Sequence, residues 1–300
     1  MVEWVRPAAL SRGDRVAVVA PSGPVPRDAF LAGLAWLRER YDVSWSPRQL
    51  DRQGYLAGGD DARRDELVRA WADPRNKAIF AARGGYGAMR FLDLGVDFGR
   101  PRAGAAAPAP WLVGFSDVTA LHLHAQRARV CSLHAANVTG LAHAHAGDRH
   151  RLLAWLEGAP VAAWTGLERL GDGPDRVRGV ALGGNLALVH AMAAASALPP
   201  LDDAILFLED ITEKPYRVDR MLTSLRLAGV FEHVRGVVFG GFEQCDAAPD
   251  GVTVRDVVVD RLGALGVPIL WGAPFGHGAR NEAIAFGATV HIDGDAVAFD

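Results

Sequence analysis

Cysteine is almost missing from this 300-residue chain: Cys131 and Cys245 are the only two. Two thiols exclude a disulfide framework and a cysteine-based zinc site, and leave small, partly buried hydrophobes. No run of five or six Lys or Arg occurs and the formal net charge is −3, so nucleic acid is not an expected partner. No uncharged apolar stretch reaches the length that crosses a bilayer, and Met1–Pro7 has no basic segment leading into an apolar one. A cytoplasmic protein with no membrane partner is therefore expected. A Walker A sequence is absent, and Gly85-Tyr86-Gly87 does not continue into a dinucleotide fingerprint, because Arg90 stands where its last glycine belongs. His122, His124, His134, His143, His145 and His150 have no carboxylate or cysteine at fixed ligand spacing, so neither a metal nor a cofactor is expected. No repeat of fixed period is present, and the alanine-rich Gly104–Pro110 carries no functional signal.

What is present is an apolar half of the chain, enough for one large or two medium domains. Arg15–Ala20 is a short apolar run stopped by Pro21-Ser22-Gly23-Pro24, a buried strand followed by a turn. Asp28–Tyr41 carries Phe30, Leu31, Leu34 and Leu37 at helical spacing, and Val43–Trp45 is again extended. Asp60–Ala72 is helical. Lys77–Ala82 is a second apolar strand, stopped by Arg83-Gly84-Gly85-Tyr86-Gly87, with a helix expected from Ala88. Strands alternating with helices predict a parallel sheet covered on both faces, with ligands at the carboxyl ends of the strands. Pro21–Gly23, Arg83–Gly87 and Ser116–Asp117 are three such ends. From His143 to Gly179 the pattern weakens. Beyond it come Gly183-Gly184-Asn185-Leu186, the strand Ile205–Leu208, a helix over 217–228 and shorter extended runs at 236–239, 268–271 and 289–292. The division expected is an N-terminal α/β domain over 1–150, a linker over 151–178 and a mixed, strand-rich α+β domain over 179–300.

Three residues have the chemistry of acyl transfer. Leu112-Val-Gly-Phe-Ser-Asp117 runs a strand into a helical segment through Ser116. A serine on such a turn either caps the helix or is presented to a carbonyl near the positive end of the helix dipole. The strand Ile205–Leu208 ends on Glu209 and Asp210, acids that either face a cleft or serve the following turn. His277 lies between Gly276 and Gly278, where loop geometry orients an imidazole. Together Ser116, Glu209 and His277 supply a nucleophile, a general base and a carboxylate to hold the base. The N–H of Asp117 and the Gly84-Gly85 loop would supply oxyanion donors. An α/β-hydrolase elbow, G-x-S-x-G, does not fit, because Val118 replaces its last glycine. A binding protein without chemistry is the remaining class, and Arg83 is a candidate for holding a substrate carboxylate, or for bracing the loop.

Pro21-Ser-Gly23, Tyr55-Leu-Ala-Gly58 with Asp61 and Arg64, Ala82-Arg-Gly-Gly-Tyr-Gly87, Gly114-Phe-Ser-Asp117, Gly183-Gly-Asn-Leu186, Leu206-Phe-Leu-Glu-Asp210, Tyr216–Leu222 and Gly276-His-Gly278 occur in order along nearly the whole chain. This ordered set resembles the LD-carboxypeptidases, the serine peptidase family that also holds the microcin C self-immunity peptidases. The resemblance implies a flavodoxin-like parallel sheet in the first domain and a triad on Ser116, Glu209 and His277. It places the oxyanion donors at the backbone N–H groups of Asp117 and Gly85; from its position on the same loop Arg83, with Gly84, is expected against the substrate. It also implies a small peptide substrate, the murein tetrapeptide, cut at the L,D-amide before its terminal D-alanine, and a homodimer is expected. The alternative within the family is a peptidase for a peptidyl or aminoacyl nucleotide. The short 164–179 connection favours the murein peptide. Asn281–Gly287 departs from the family's ending, which has a proline and a leucine there.

Overall fold

The computed structural model describes residues 4–99, 108–247 and 251–300; most of the Gly104–Pro110 stretch and residues Met1–Glu3 lie outside them. The chain forms two compact units. The first takes Met1–Pro160 with Glu282–Gly287, and the second takes Val161–Asn281 with Ala288–Asp300.

The first unit is a six-stranded sheet. Its strands are β1 (Arg15–Val19), β2 (Asp42–Ser44), β3 (Asn76–Ala81), β4 (Trp111–Gly114), β5 (Ser132–His134) and, from far along the chain, Ile284–Phe286, which is β11 in chain order. The order is β11-β5-β4-β3-β1-β2. The β2-β1-β3-β4-β5 part is parallel and has the flavodoxin strand order, so the fold is the doubly wound one expected. Only β11 runs antiparallel, against β5. The central strands β3 and β4 are almost wholly buried, which is why they are continuous apolar runs rather than alternating ones. Helices α1 (Arg27–Arg38), α2 (Asp60–Ala72), α3 (Thr119–Arg127), α4 (Val138–Leu141) and α5 (Ala146–Glu157) accompany the sheet. Asp60 and Asp61 sit in the first turn of α2, complementing its dipole.

Two local expectations differ from the structure. The segment from Ala88 makes one 3₁₀ turn, Ala88–Phe91, and no longer helix. Gly95 at φ 89° and the Asp97 carboxylate accepting from Gly99 N, at 2.9 Å, turn the chain away instead. The stretch expected to begin a linker is helical to Glu157, and Gly158 closes α5 in the left-handed conformation at φ 72°. The inward face of α5 carries Asp148 and Arg151 among its leucines and Trp155. Arg151 Nε and Trp155 Nε1 both donate to Ala283 O at 3.0 Å, and Arg151 pairs with Glu282 at 3.4 Å. Charged residues on a buried face hide the helical period from a hydropathy reading.

The second unit is a seven-stranded mixed sheet ordered β13-β12-β7-β8-β9-β10-β6. Its strands are β6 (Glu168–Arg169), β7 (Arg176–Asn185), β8 (Ala204–Ile211), β9 (Gly236–Glu243), β10 (Ile269–Trp271), β12 (Thr289–Asp293) and β13 (Ala296–Phe299). The inner four, β7 to β10, are parallel, and the flanking strands are antiparallel. Its helices are α6 (Leu186–Ala194), α7 (Pro215–Leu227) and α8 (Val254–Leu262). A capping box between Thr253 and Asp256 starts α8. Among the described residues no helix is long and apolar enough to cross a membrane.

Candidate active site

Ser116 follows β4 at φ 65°, a left-handed conformation that costs a non-glycine residue about 1–2 kcal/mol. Such strain survives only where the surroundings impose it. The Asn137 side chain grips both sides of the preceding residue: Phe115 N donates to Oδ1 at 3.2 Å, and Nδ2 donates to Phe115 O at 3.5 Å. The wholly buried His122 places Nε2 2.8 Å from Gly114 O. Burial pushes the His122 pKa down to about 4, against a weaker opposing pull from that carbonyl, so its ring is neutral and Nε2–H donates. Ser116 opens the 3₁₀ turn Ser116–Val118, but no side-chain hydrogen bond caps that turn or α3 after it. The capping role therefore fails, and the strain on Ser116 needs another explanation.

The glycine loop supplies the surface next to it. A Cβ on Gly84 would lie 2.9 Å from Ser116 Cβ and 3.1 Å from its Oγ, so only glycine lets the loop approach the hydroxyl. Gly23 N donates to Gly84 O at 3.1 Å, which joins the turn after β1 to the loop after β3. The buried carboxylate of Asp117 accepts from Ala88 N at 2.8 Å and ties the loop to the serine turn. Gly85 sits exposed at φ 105°. Arg83 Nη1 donates to Pro24 O at 2.6 Å, a bracing contact between two of the loops.

Arg63, which the sequence reading passed over, fastens these loops from beneath. It is fully buried and donates to Pro21 O, to Gly87 O at 2.8 Å and to Gly58 O at 3.2 Å, and it pairs with Asp60. The sequence had pointed one position on, to Asp61 and Arg64. Those two pair with each other on the outside of α2, where Asp61 is 79% exposed. Helical phase tells the two pairs apart: position 63 shares the inward face with Leu67, and position 64 does not.

The second unit brings the acid and the imidazole together. Glu209 lies within β8, which runs on to Ile211 instead of ending at Leu208; it is wholly buried, and its Oε2 lies 2.6 Å from His277 Nδ1. Its Oε1 is buried with no hydrogen-bond partner among the described residues. Gly276, at φ 108°, permits the contact, because a Cβ there would lie 2.8 Å from both Cβ and Oε2 of Glu209. Burial opposes charge on His277. The hydrogen bond and charge of Glu209, with the charge of Asp210, outweigh it and raise the pKa above the ordinary 6.5. With Nδ1–H donated to the carboxylate, proton exchange falls to Nε2.

Asp210 has a different task. Its carboxylate accepts from Asn185 Nδ2, Ala187 N and Ile211 N at 2.8–2.9 Å, fastening the start of α6. Burial, partly offset by these donors, raises its pKa to about 6. Two of the other histidines have local partners: His124 Nε2 lies 2.7 Å from Val96 O, and His145 Nδ1 accepts from Gly147 N at 3.1 Å. Among the described residues no cluster of three His, Cys, Asp or Glu side chains could hold a metal ion.

These arrangements have counterparts. Residues 16–135 match the LD-carboxypeptidase N-terminal domain and residues 178–292 the LD-carboxypeptidase C-terminal domain. A Synechocystis sp. protein named provisionally as a carboxypeptidase is 38% identical over 298 residues, covering 98% of this chain and 96% of its own. The murein tetrapeptide carboxypeptidase of Pseudomonas aeruginosa is 31% identical over 292 residues, covering 94% of each. Among solved structures, the muramoyltetrapeptide carboxypeptidase of Oxalobacter formigenes superposes with a TM-score of 0.82 at 26% identity, over 95% of this chain and 97% of its own. The wild-type apo microcin C7 self-immunity protein MccF shares the fold, with a TM-score of 0.86 at 19% identity over 100% and 99% of the two chains. Both halves match in order and across nearly the full length, and the chain belongs to the LD-carboxypeptidase family of hydrolases.

Proposed function

We propose that the chain is a serine-type LD-carboxypeptidase that releases D-alanine from murein tetrapeptide. The observation that carries this reading is Ser116, held left-handed at the carboxyl end of β4 with a glycine loop closed against its hydroxyl. The Glu209–His277 pair supplies the acid–base half. His277 Nε2 takes the Ser116 proton as Oγ attacks the carbonyl of the L,D-amide, and Glu209 stabilises the imidazolium. The N–H groups of Asp117 and Gly85 receive the developing oxyanion. The imidazolium returns the proton to the leaving amine, D-alanine departs, and water, deprotonated by His277, hydrolyses the acyl-serine. Ser116 belongs to the first unit and the acid–base pair to the second, so the proposal requires residues of both units to act on one substrate. The Pseudomonas and Oxalobacter relatives support the murein peptide as substrate. A cytoplasmic, homodimeric enzyme is part of the same proposal; sedimentation tests the dimer and cell fractionation the location.

The test is incubation of purified protein with murein tetrapeptide, with pentapeptide and with an aminoacyl nucleotide analogue, followed by mass measurement of the products. Loss of one D-alanine from the tetrapeptide, and none from the D,D-linked pentapeptide, is expected. Cleavage of the nucleotide analogue alone would move the substrate to the immunity-peptidase branch and keep the chemistry. No cleavage of any of the three would overturn the enzyme.

A further inference from the structure

Two large aromatic side chains stand exposed beside the nucleophile loops. Tyr55 is 65% and Tyr86 51% accessible, and their rings meet edge to face at 5.7 Å. Single exposed aromatics are commonplace, but this pair is built. Tyr86 lies between Gly85 and Gly87, both at positive φ, two residues beyond the glycine packed on Ser116. Four residues on, the Arg90 guanidinium is held by both carboxylate oxygens of Asp60. Tyr55 projects from a turn closed by two hydrogen bonds between Gln53 and Leu56. That turn is anchored by the buried Leu56 and by Ala57 N donating to Ser22 O at 2.9 Å. Arg63 holds the carbonyls of Gly58 and Gly87, one in each loop. A single buried cation therefore ties together the two loops that carry the rings.

We propose that Tyr55 and Tyr86 form an aromatic wall that receives the side chain of the residue on the acyl side of the scissile bond. The side chain it fits is a long aliphatic stem ending in an ammonium group. This inference rests on the carboxypeptidase reading and deepens it. The departing D-alanine offers a methyl and a carboxylate, which call for cations or N–H donors rather than ring area. A diamino acid instead offers methylenes to the rings and an ammonium to their negative faces.

The experiment measures kcat and KM for N-acetyl-L-lysyl-D-alanine and N-acetyl-L-alanyl-D-alanine with the wild type, Tyr55→Ala, Tyr86→Ala and the corresponding phenylalanine variants. Each alanine variant is expected to raise KM for the lysyl peptide about tenfold, the lower end of what an apolar contact discriminates at an open site. The alanyl peptide is expected to lose far less, so the wild-type preference collapses. Phenylalanine at either position is expected to restore the preference. An equal KM change on both peptides, or an unchanged preference in both alanine variants, overturns the wall. The two rings stand on separate loops, so misfolding of one variant leaves the other decisive. If the wild type cleaves both peptides, Ser116→Ala cleaves neither and the tyrosine variants keep the lysyl preference, the wall alone falls. If the wild type cleaves neither peptide nor murein tetrapeptide, the carboxypeptidase reading falls and the wall with it.

Discussion

In the first unit the proposed nucleophile is positioned by backbone. Ser116 is strained at φ 65°, Phe115 is clamped at both its N–H and C=O, and the neighbouring loop is admitted only because position 84 has no side chain. In the second unit the proposed base is positioned by charge. His277 leans on a fully buried carboxylate, and its proton affinity is set by Glu209 and Asp210. Steric fit is insensitive to pH and intolerant of an added methyl group. A buried ion pair responds to protonation. The two halves should therefore fail in different ways, and that contrast can be tested.

The largest effect expected is on turnover. Ser116→Ala and His277→Ala should each lower kcat at least about 10³-fold, and the double variant should be little worse, because groups that act as one unit are not additive. Losses that multiply would separate the halves and break the comparison. Next, Gly84→Ala and Gly276→Ala each place a Cβ at 2.9 Å or less from a neighbour. Each is expected to cost about 10²-fold in kcat, the effect of a misplacement of about 1 Å. A pH profile distinguishes them: Gly84→Ala should lose activity evenly across pH, whereas Gly276→Ala should also displace the acid limb. Arg83→Met should be milder, with KM for a free C-terminal acid raised about tenfold by loss of one charge-assisted contact. An amidated substrate should suffer much less. An equal loss on both would assign Arg83 to its brace on Pro24.

The smallest effect is a displacement along the pH axis. In the proposed mechanism the neutral form of His277 is the base, and its pKa is raised above 6.5, so kcat/KM should rise with pH through a limb centred above 6.5. Glu209→Gln removes the charge that raises it and should move the limb to lower pH, while lowering the rate. The stability linkage runs the other way. A raised histidine pKa stabilises the folded state fully below 6.5, and that contribution is lost as pH rises through the folded value. Melting temperature against pH, for wild type and Glu209→Gln, reads it directly.

Much of this was legible in the sequence because it rests on local rules. Short apolar runs stopped by glycine or proline marked β1, β3 and β4, and a run stopped by two acids marked β8; the residue types that follow β4 and this run marked Ser116 and Glu209. The choice of Glu209 over Asp210 rested on the resemblance and not on the two residues themselves. Both are buried neighbours at one strand end, and only their partners, His277 for one and the α6 turn for the other, tell them apart. The supports were hidden for another reason. Asn137, His122 and Arg63 lie 20 or more, six and 53 residues from Ser116, and each acts on a backbone carbonyl or amide, which leaves no signature in side-chain pattern. Helix α5 was missed because its buried face spends two positions on charged residues, Asp148 and Arg151, the second of them satisfied by residues 282 and 283.

Those same partners order the folding of the chain in time. The sheet that carries Ser116 receives its last strand, β11, from residues 284–286, and α5 receives its acceptor from Ala283. A ribosome that has made residue 160 must still add more than a hundred residues before that strand exists, a delay on the order of ten seconds at usual synthesis rates. During that interval β5 is an open sheet edge and Arg151 is without Glu282. The nascent first unit is then the species most exposed to edge-to-edge association. A fragment ending at Pro160 keeps that exposure permanently.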